Sequence, residues 1–404
     1  MTHKYHSLSN PRNYELPALR YPAEASLGGT MGEPEKKALI ESFDESCEVN
    51  RGFNAAHEVE KLELLFCERF KVRYAIAVNG ANTALDLVLK AINIQKDDEI
   101  ICAGATFHGQ HLSVIGSGAK LILSEISEAD CCISACDLEN VLSYRTRAVI
   151  ATDIHGACAD YSSLRKTLDL WRSGKKVQRP FLISDAARSI GSRDGVASAE
   201  LCDFTIFSLQ SKKLVTALGE GGIILTNDMS FAKVLRQFRA FGLGEGWGSN
   251  FKMSKLQACV ALVQMKRLDE IVEKRNILAS DRISRLKPYS EIIKTVTPKD
   301  RHHTFQFFPL LINEKYSEKR DEIIYHLAMH SSVGAVVANP PSYQYNRWIA
   351  SKTNCSLPAS EKIADRLLCL AFHHDNTKQD EEYIISSLIK TIIKIKMDIY
   401  NENI

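Results

Sequence analysis

The chain has 404 residues, too many for one small core, so two domains or a large domain with a satellite are expected. Apolar residues make up 45% and charged residues 25%, ordinary for a globular protein, and the net charge of +2 gives no global electrostatic case for nucleic acid or an acidic membrane. A run of about 18 apolar residues, the minimum for a membrane span, is absent, and the polar start MTHKYHSLSNPRNYELPALRY lacks a signal-peptide core.

Residues 1–45 read as an extended arm and a first helix, EPEKKALIESFDESCEV. EVEKLELLFCERF follows with apolar residues at helical spacing. From Tyr74 a rhythm of short β-rich runs sets in: YAIAV, EIICAGATF, KLILSEIS, AVIATDIHG, PFLISDAARS, FTIFSLQS and GGIILTN. Helical patterns such as LSVIGSGA and YSSLRKTLDLWRS separate several of them. Val- and Ile-rich strands alternating with helices predict an α/β fold, a mostly parallel sheet covered by helices on both faces, over residues 46–280. The chain turns helical after residue 230, and residues 281–404 read as a smaller α+β unit that ends in the helix DEEYIISSLIKTIIKIKM. The eleven cysteines are scattered through apolar segments, and Cys131, Cys132 and Cys136 have no CxxC partner at zinc spacing. Reduced thiols in a cytoplasmic protein, with no metal, are expected.

Small and polar residues gather just beyond the strand ends, where open α/β sheets bind ligands. NGANTAL at 79–85 puts small residues at a strand-to-helix turn, which leaves backbone amides free to hold an anion, with Asn82 or Thr83 as a possible side-chain donor. GLGEGWG at 242–248 does not follow a strand and is read as a loop. Asp185 closes the apolar run FLISD and is either a helix cap or a buried carboxylate facing a cation. In FSLQSKKLVTALGEGG the adjacent Lys212 and Lys213 follow an apolar strand. A surface turn would leave both wet. Chemistry would require one amine neutral enough to attack a carbonyl. A pyridoxal phosphate (PLP) site needs a Schiff-base lysine, a carboxylate for the pyridinium nitrogen, phosphate donors and an aromatic face. Lys213, Asp185, the NGANT turn with Ser208, and Phe107 supply candidates for all four.

AVNGANTALDLVL, DDEIICAGATFHG, SDAARSIGS, FSLQSKKLVTALGEGG, GSNFKMSKLQACV and DRLLCLAFHH stand in an order and spacing that resembles the DegT/DnrJ/EryC1/StrS family of PLP-dependent sugar aminotransferases, of fold type I, from about residue 30 onward. The resemblance implies that Lys213, spaced as the family lysine from Ser208, bonds to PLP, with Lys212 its solvated neighbour. It implies that Asp185 pairs with the pyridinium nitrogen, Phe107 stacks on the ring, and Ala81, Asn82 and Ser208 hold the phosphate. Asn250 matches an asparagine that reaches the neighbouring subunit's phosphate, which implies a homodimer with shared sites. The implied reaction moves an amino group from glutamate or glutamine to a keto-sugar or keto-cyclitol. Departures matter: Arg188 stands where the family has glutamine, Lys252 where it has arginine, and Ser184 where glutamate is common. These keep dehydration, oxidative deamination or a non-catalytic regulatory role on the same fold as alternatives. Arg188 is a candidate for binding the cofactor near its O3′ or, instead, a substrate anion, and Lys252 and Arg347 are further candidates for contacting a substrate anion. His108, His155, His302, His303, His373 and His374 are candidates for the border of the site.

Overall fold

The computed structural model describes residues 18–53, 57–173, 175, 178–353 and 355–402, so positions 1–17 of the expected arm lie outside the described residues. Helices α1 (Glu33–Ser46) and α2 (His57–Phe70) precede β1 (Tyr74–Val78). Alternation follows: α3 (Ala81–Ala91), β2 (Glu99–Ala103), α4 (His108–Gly116), β3 (Lys120–Ser124), α5 (Ala135–Val141), β4 (Thr146–Thr152), α6 (Tyr161–Arg172), β5 (Phe181–Asp185), α7 (Gly195–Leu201), β6 (Phe204–Ser208) and β7 (Gly222–Thr226). Then come α8 (Met229–Arg239), α9 (Lys255–Leu286), β8 (Ile293–Thr295), β9 (Phe308–Ile312), α10 (Arg320–Ser331), β10 (Ala335–Val336), α11 (Arg347–Lys352), α12 (Pro358–Arg366), β11 (Leu367–Leu370) and α13 (Lys378–Glu402).

The first seven strands form one sheet in the order β1-β7-β6-β5-β4-β2-β3. The run from β6 to β3 is parallel, and β7 is antiparallel to both β6 and β1. No crossover helix separates β6 from β7, so the chain can only return antiparallel. β1 therefore runs with the parallel set, and the carboxyl ends of β1, β2, β4, β5 and β6 share one edge. Strand alternation feeds two cores. Ala75 and Ala77 of β1 pack with Phe66 of α2 and Leu268 of α9, while Ile76 and Val78 pack on the other face with Val88 of α3 and Leu235 of α8.

A second, antiparallel sheet has the order β10-β11-β9-β8. It shares a core with α10 and α13 through Phe308, Leu310, Leu327 and Leu388. Helix α9 starts at Ser254, whose hydroxyl and Gln257 form a capping box, and runs unbroken through residue 280 into this second core at Ala279 and Leu286. Among the described residues no helix is long and apolar enough to cross a membrane.

Candidate active site

A cavity of about 630 Å³ opens at the shared carboxyl edge of the large sheet. Ala81, Asn82, Phe107, Asp185, Arg188, Ser208 and Lys213 all line it. Asn250 does not. It is exposed, and its backbone bridges Ala240.

Ser208 is the last residue of β6, and the turn beyond it is pinned by its own backbone. The Lys213 amide donates to Gln210 O at 2.8 Å, and Ser211 N donates to Gly219 O at 2.9 Å. The two lysines then part. Lys212 keeps 41% of its side chain exposed and pairs with Glu24 at 3.1 Å. Lys213 turns into the cavity. Burial lowers its pKa first and the Arg188 cation second, against the pull of Glu24 and Asp185, to about 7. Lys212 is the weakest of these influences. An amine at that value is neutral in a substantial fraction near pH 7 and can attack a carbonyl.

Asp185 ends β5 opposite Thr152 of β4. One carboxylate oxygen accepts from Gln110 Nε2 at 3.1 Å and the other from Ala187 N at 3.2 Å. Burial raises its pKa, and these donors with Lys213 and Arg188 only partly offset the rise. A carboxylate in that position gains from a cation brought in by a ligand. Gln110 also donates to Thr152 Oγ1 at 2.8 Å, and its Oε1 is buried without a partner.

Helix α3 begins at Gly80, which offers no side-chain cap, so its first amides face the cavity. The side chain of Asn82 is already engaged: its Nδ2 donates to Gly109 O at 2.7 Å and Ser113 Oγ at 3.1 Å, tying α3 to α4. The donors this turn offers to an anion are therefore backbone groups. Strand β7 presses on the same turn: a Cβ at Gly222 would stand 2.6 Å from the Gly80 carbonyl. Phe107, the residue before α4, leaves its ring partly exposed beside the cavity and against His108 at 4.6 Å.

Arg188 does not extend free into the cavity. Its Nη1 lies 3.5 Å from Glu24 Oε1, and its guanidinium stacks over Phe307 at 4.5 Å. Glu24 belongs to the segment before α1, which sequence reading left as an arm without a role. Burial alone would raise the Glu24 pKa, but Arg188, Lys212 and Lys213 together lower it. Glu24, Gln110, Thr152 and Asn339 are lining residues that sequence reading missed. Gln110 lies one helical step from Phe107, and Thr152 closes a β-rich run. Those two signals were present; Glu24 and Asn339 carry none.

Lys252 and Arg347 are exposed and do not line this cavity. None of the six candidate histidines lines it either. His155 is buried and held well below its usual pKa by desolvation. His373 and His374 instead hold the N-terminal segment through Leu27 O at 3.2 Å and Thr30 Oγ1 at 2.7 Å. Ser184 faces away and accepts from the Tyr161 hydroxyl at 2.6 Å.

The donor set fits PLP. A near-neutral lysine, a half-buried carboxylate in need of a cation, open helix amides with a serine hydroxyl, and an orphaned buried Gln110 oxygen converge on one cavity.

Known proteins share this architecture. A GDP-perosamine synthase of Caulobacter vibrioides is 27% identical over 83% of this chain and 90% of its own length. A dTDP-3-amino-3,4,6-trideoxy-alpha-D-glucose transaminase of Micromonospora megalomicea is 24% identical over 83% of this chain and 89% of its own. The solved structure of Helicobacter pylori PseC, an aminotransferase of pseudaminic acid biosynthesis, covers 92% of this chain and 99% of its own with a TM-score of 0.82 at 21% identity, which shows the fold. The profile of the DegT/DnrJ/EryC1/StrS aminotransferase family matches residues 34–389. The chain belongs to that family and is an aminotransferase with PLP as its cofactor.

Proposed function

We propose that the protein moves an amino group from glutamate or glutamine to a ketone on a sugar, carried by a nucleotide in the reading the relatives favour, or on a cyclitol. The relatives named above make or aminate nucleotide-linked sugars, which supports the substrate class. The observation that carries the chemistry is Lys213, with a pKa of about 7, sharing one cavity with Asp185.

PLP, when bound, supplies an electron sink for bond breaking at the donor's α-carbon. Lys213 would hold the cofactor covalently, and its Nζ would be the group placed to take the donor's α-proton and give it back, which a pKa near neutrality allows in both directions. Asp185 would hold a proton on the ring nitrogen. The first amides of α3 and the Ser208 hydroxyl would bind the phosphate, with Phe107 beside the ring. Asn250, exposed on its own chain, serves the partner's site in a homodimer. Residues 46–280 form the cofactor domain and 281–404 the small domain, and the enzyme works in the cytoplasm.

The test is a visible spectrum of the PLP-loaded protein on addition of L-glutamate or L-glutamine, followed by mass spectrometry of keto-sugar mixtures. Loss of the PLP band with donor, and a sugar that gains an amine, are expected. Loss of water or ammonia from the sugar would contradict the assignment.

A further inference from the structure

The segment before α1 is a strap fixed at both ends that reaches the cavity at Glu24. At one end Tyr21 pairs with the small domain: Tyr21 N donates to Ser332 O at 3.1 Å and Gly334 N to Tyr21 O at 2.6 Å. At the other end Gly28 N donates to Ser211 O at 2.9 Å, beside the lysine turn. Both crossings are tight. A Cβ at Gly334 would stand 2.4 Å from Ala23 N, and one at Gly28 would stand 2.1 Å from Lys212 O. Between these pins Ala23 packs on Phe307, Ala338 and Cys369. Its neighbour Glu24 is thereby set into the cavity.

Two cations contact Glu24 there, and a third donor lines the same cavity. Arg188 lies over Phe307 with 11% of its side chain exposed. Lys212 comes from the lysine turn. Asn339 comes from the small domain, next to Ala338; it is 4% exposed, lines the cavity, and its Nδ2 is buried with no hydrogen-bond partner among the described residues. Glu24 serves the two cations unequally: it holds Lys212 at 3.1 Å, but its contact to Arg188 is a single one at 3.5 Å, long for a charge-assisted bond, and it leaves the planar fork of the guanidinium without a two-toothed partner. Asp185 and Glu220 are the other acids lining the cavity. The first is engaged by Gln110 and Ala187, and the second is exposed.

We propose that Arg188, Lys212 and Asn339 form an anion subsite, that the substrate taken there carries a carboxylate or phosphate, and that Glu24 fills the subsite as a built-in stand-in until such a substrate displaces it. The proposal rests on the aminotransferase reading, because it assigns a substrate to that cavity. The anion has two possible sources, an acidic group on the keto-sugar or the carboxylate of the amino donor.

The test titrates PLP-loaded wild type, Glu24→Gln and Arg188→Gln with D-glucuronate, with D-glucose as the neutral control, and with L-glutamate. Glu24→Gln removes the internal competitor and is expected to tighten D-glucuronate binding about 5-fold, the size of a partly exposed ion pair. Arg188→Gln is expected to weaken it by about 10-fold or more, as for a lost charged hydrogen bond. D-glucose should be unaffected by either change. Hydrogen exchange over residues 22–27 should rise when D-glucuronate is added to wild type, which reads displacement of the strap even if a variant folds badly. The same pattern with L-glutamate alone supports the subsite and assigns it to the donor. Equal affinities for all three proteins with both anions, and unchanged exchange, overturn the proposal. PLP uptake by wild type is read on the same samples: its absence counts against the aminotransferase reading, and uptake without any anion effect counts against the subsite alone.

Discussion

At the scale of single residues, the decisive contrast is between two adjacent lysines. Burial lowers the pKa of Lys213 toward neutrality, while Lys212 keeps 41% of its side chain exposed and pairs with Glu24. Covalent PLP uptake should therefore rise with pH through about 7, the pKa of Lys213, rather than near the usual lysine value. Arg188→Gln should move that midpoint upward more than Lys212→Ala does, because Arg188 is the stronger of the two neighbouring cations. A midpoint near the free-lysine value would contradict the burial argument. The sequence showed that one lysine follows the strand by the right interval; it did not show which neighbours would lower its pKa, since Glu24 and Arg188 lie 164 positions apart. A second residue gives a stability prediction. Asp153 is buried, and desolvation raises its pKa to about 6 against donors from Ser189, Tyr161 and Ala159. The folded state thus takes up a proton that the unfolded chain does not, and stability from this group is gained as pH falls from about 6 toward 4 and lost as pH rises through about 6. The gain is on the order of 3 kcal/mol. Asp153→Asn should abolish it, measured as the difference between denaturation curves of the two proteins at pH 7 and pH 4.5. Parallel pH dependence in both would contradict it.

At the scale of elements, every strand of the large sheet was legible as a short apolar run, and so was the position of the site at their ends, because parallel strands are buried on both faces and read as continuous hydrophobic stretches. Direction was not legible for β7, whose sequence resembles its neighbours'; only the missing crossover helix reverses it. The strap was illegible for a different reason. It lacks periodicity, and its place is fixed by isolated backbone bonds and by glycines whose missing Cβ atoms permit close passage. The same close approach ties β7 to the anion turn of α3. Gly222→Ala should push that turn out of place, costing roughly 1–3 kcal/mol of stability. PLP affinity should fall with it, read by fluorescence titration. Unchanged affinity would show that the turn does not hold the phosphate.

At the scale of the whole molecule, α9 joins the two sheets, and its second half is fastened by buried arginines. Arg282 is fully buried, forms a two-toothed pair with Glu381 of α13 at 2.6 and 2.8 Å, donates to Ala371 O at 2.8 Å, and stacks on Phe372. Glu381→Gln would leave a buried cation short of its partner, at a cost of about 3–5 kcal/mol. The loss should show as an earlier denaturant midpoint for the small domain, and a midpoint equal to wild type would mean that the pair adds nothing. The central claim, that Lys213 is the amine that binds PLP and is released to a donor, is tested most directly by borohydride reduction of the PLP-loaded protein, followed by digestion and mass spectrometry, with and without prior L-glutamate. The account predicts a phosphopyridoxyl mass on Lys213 that is lost when L-glutamate is added first. A label on Lys212, or one on Lys213 that neither L-glutamate nor L-glutamine removes, would contradict it.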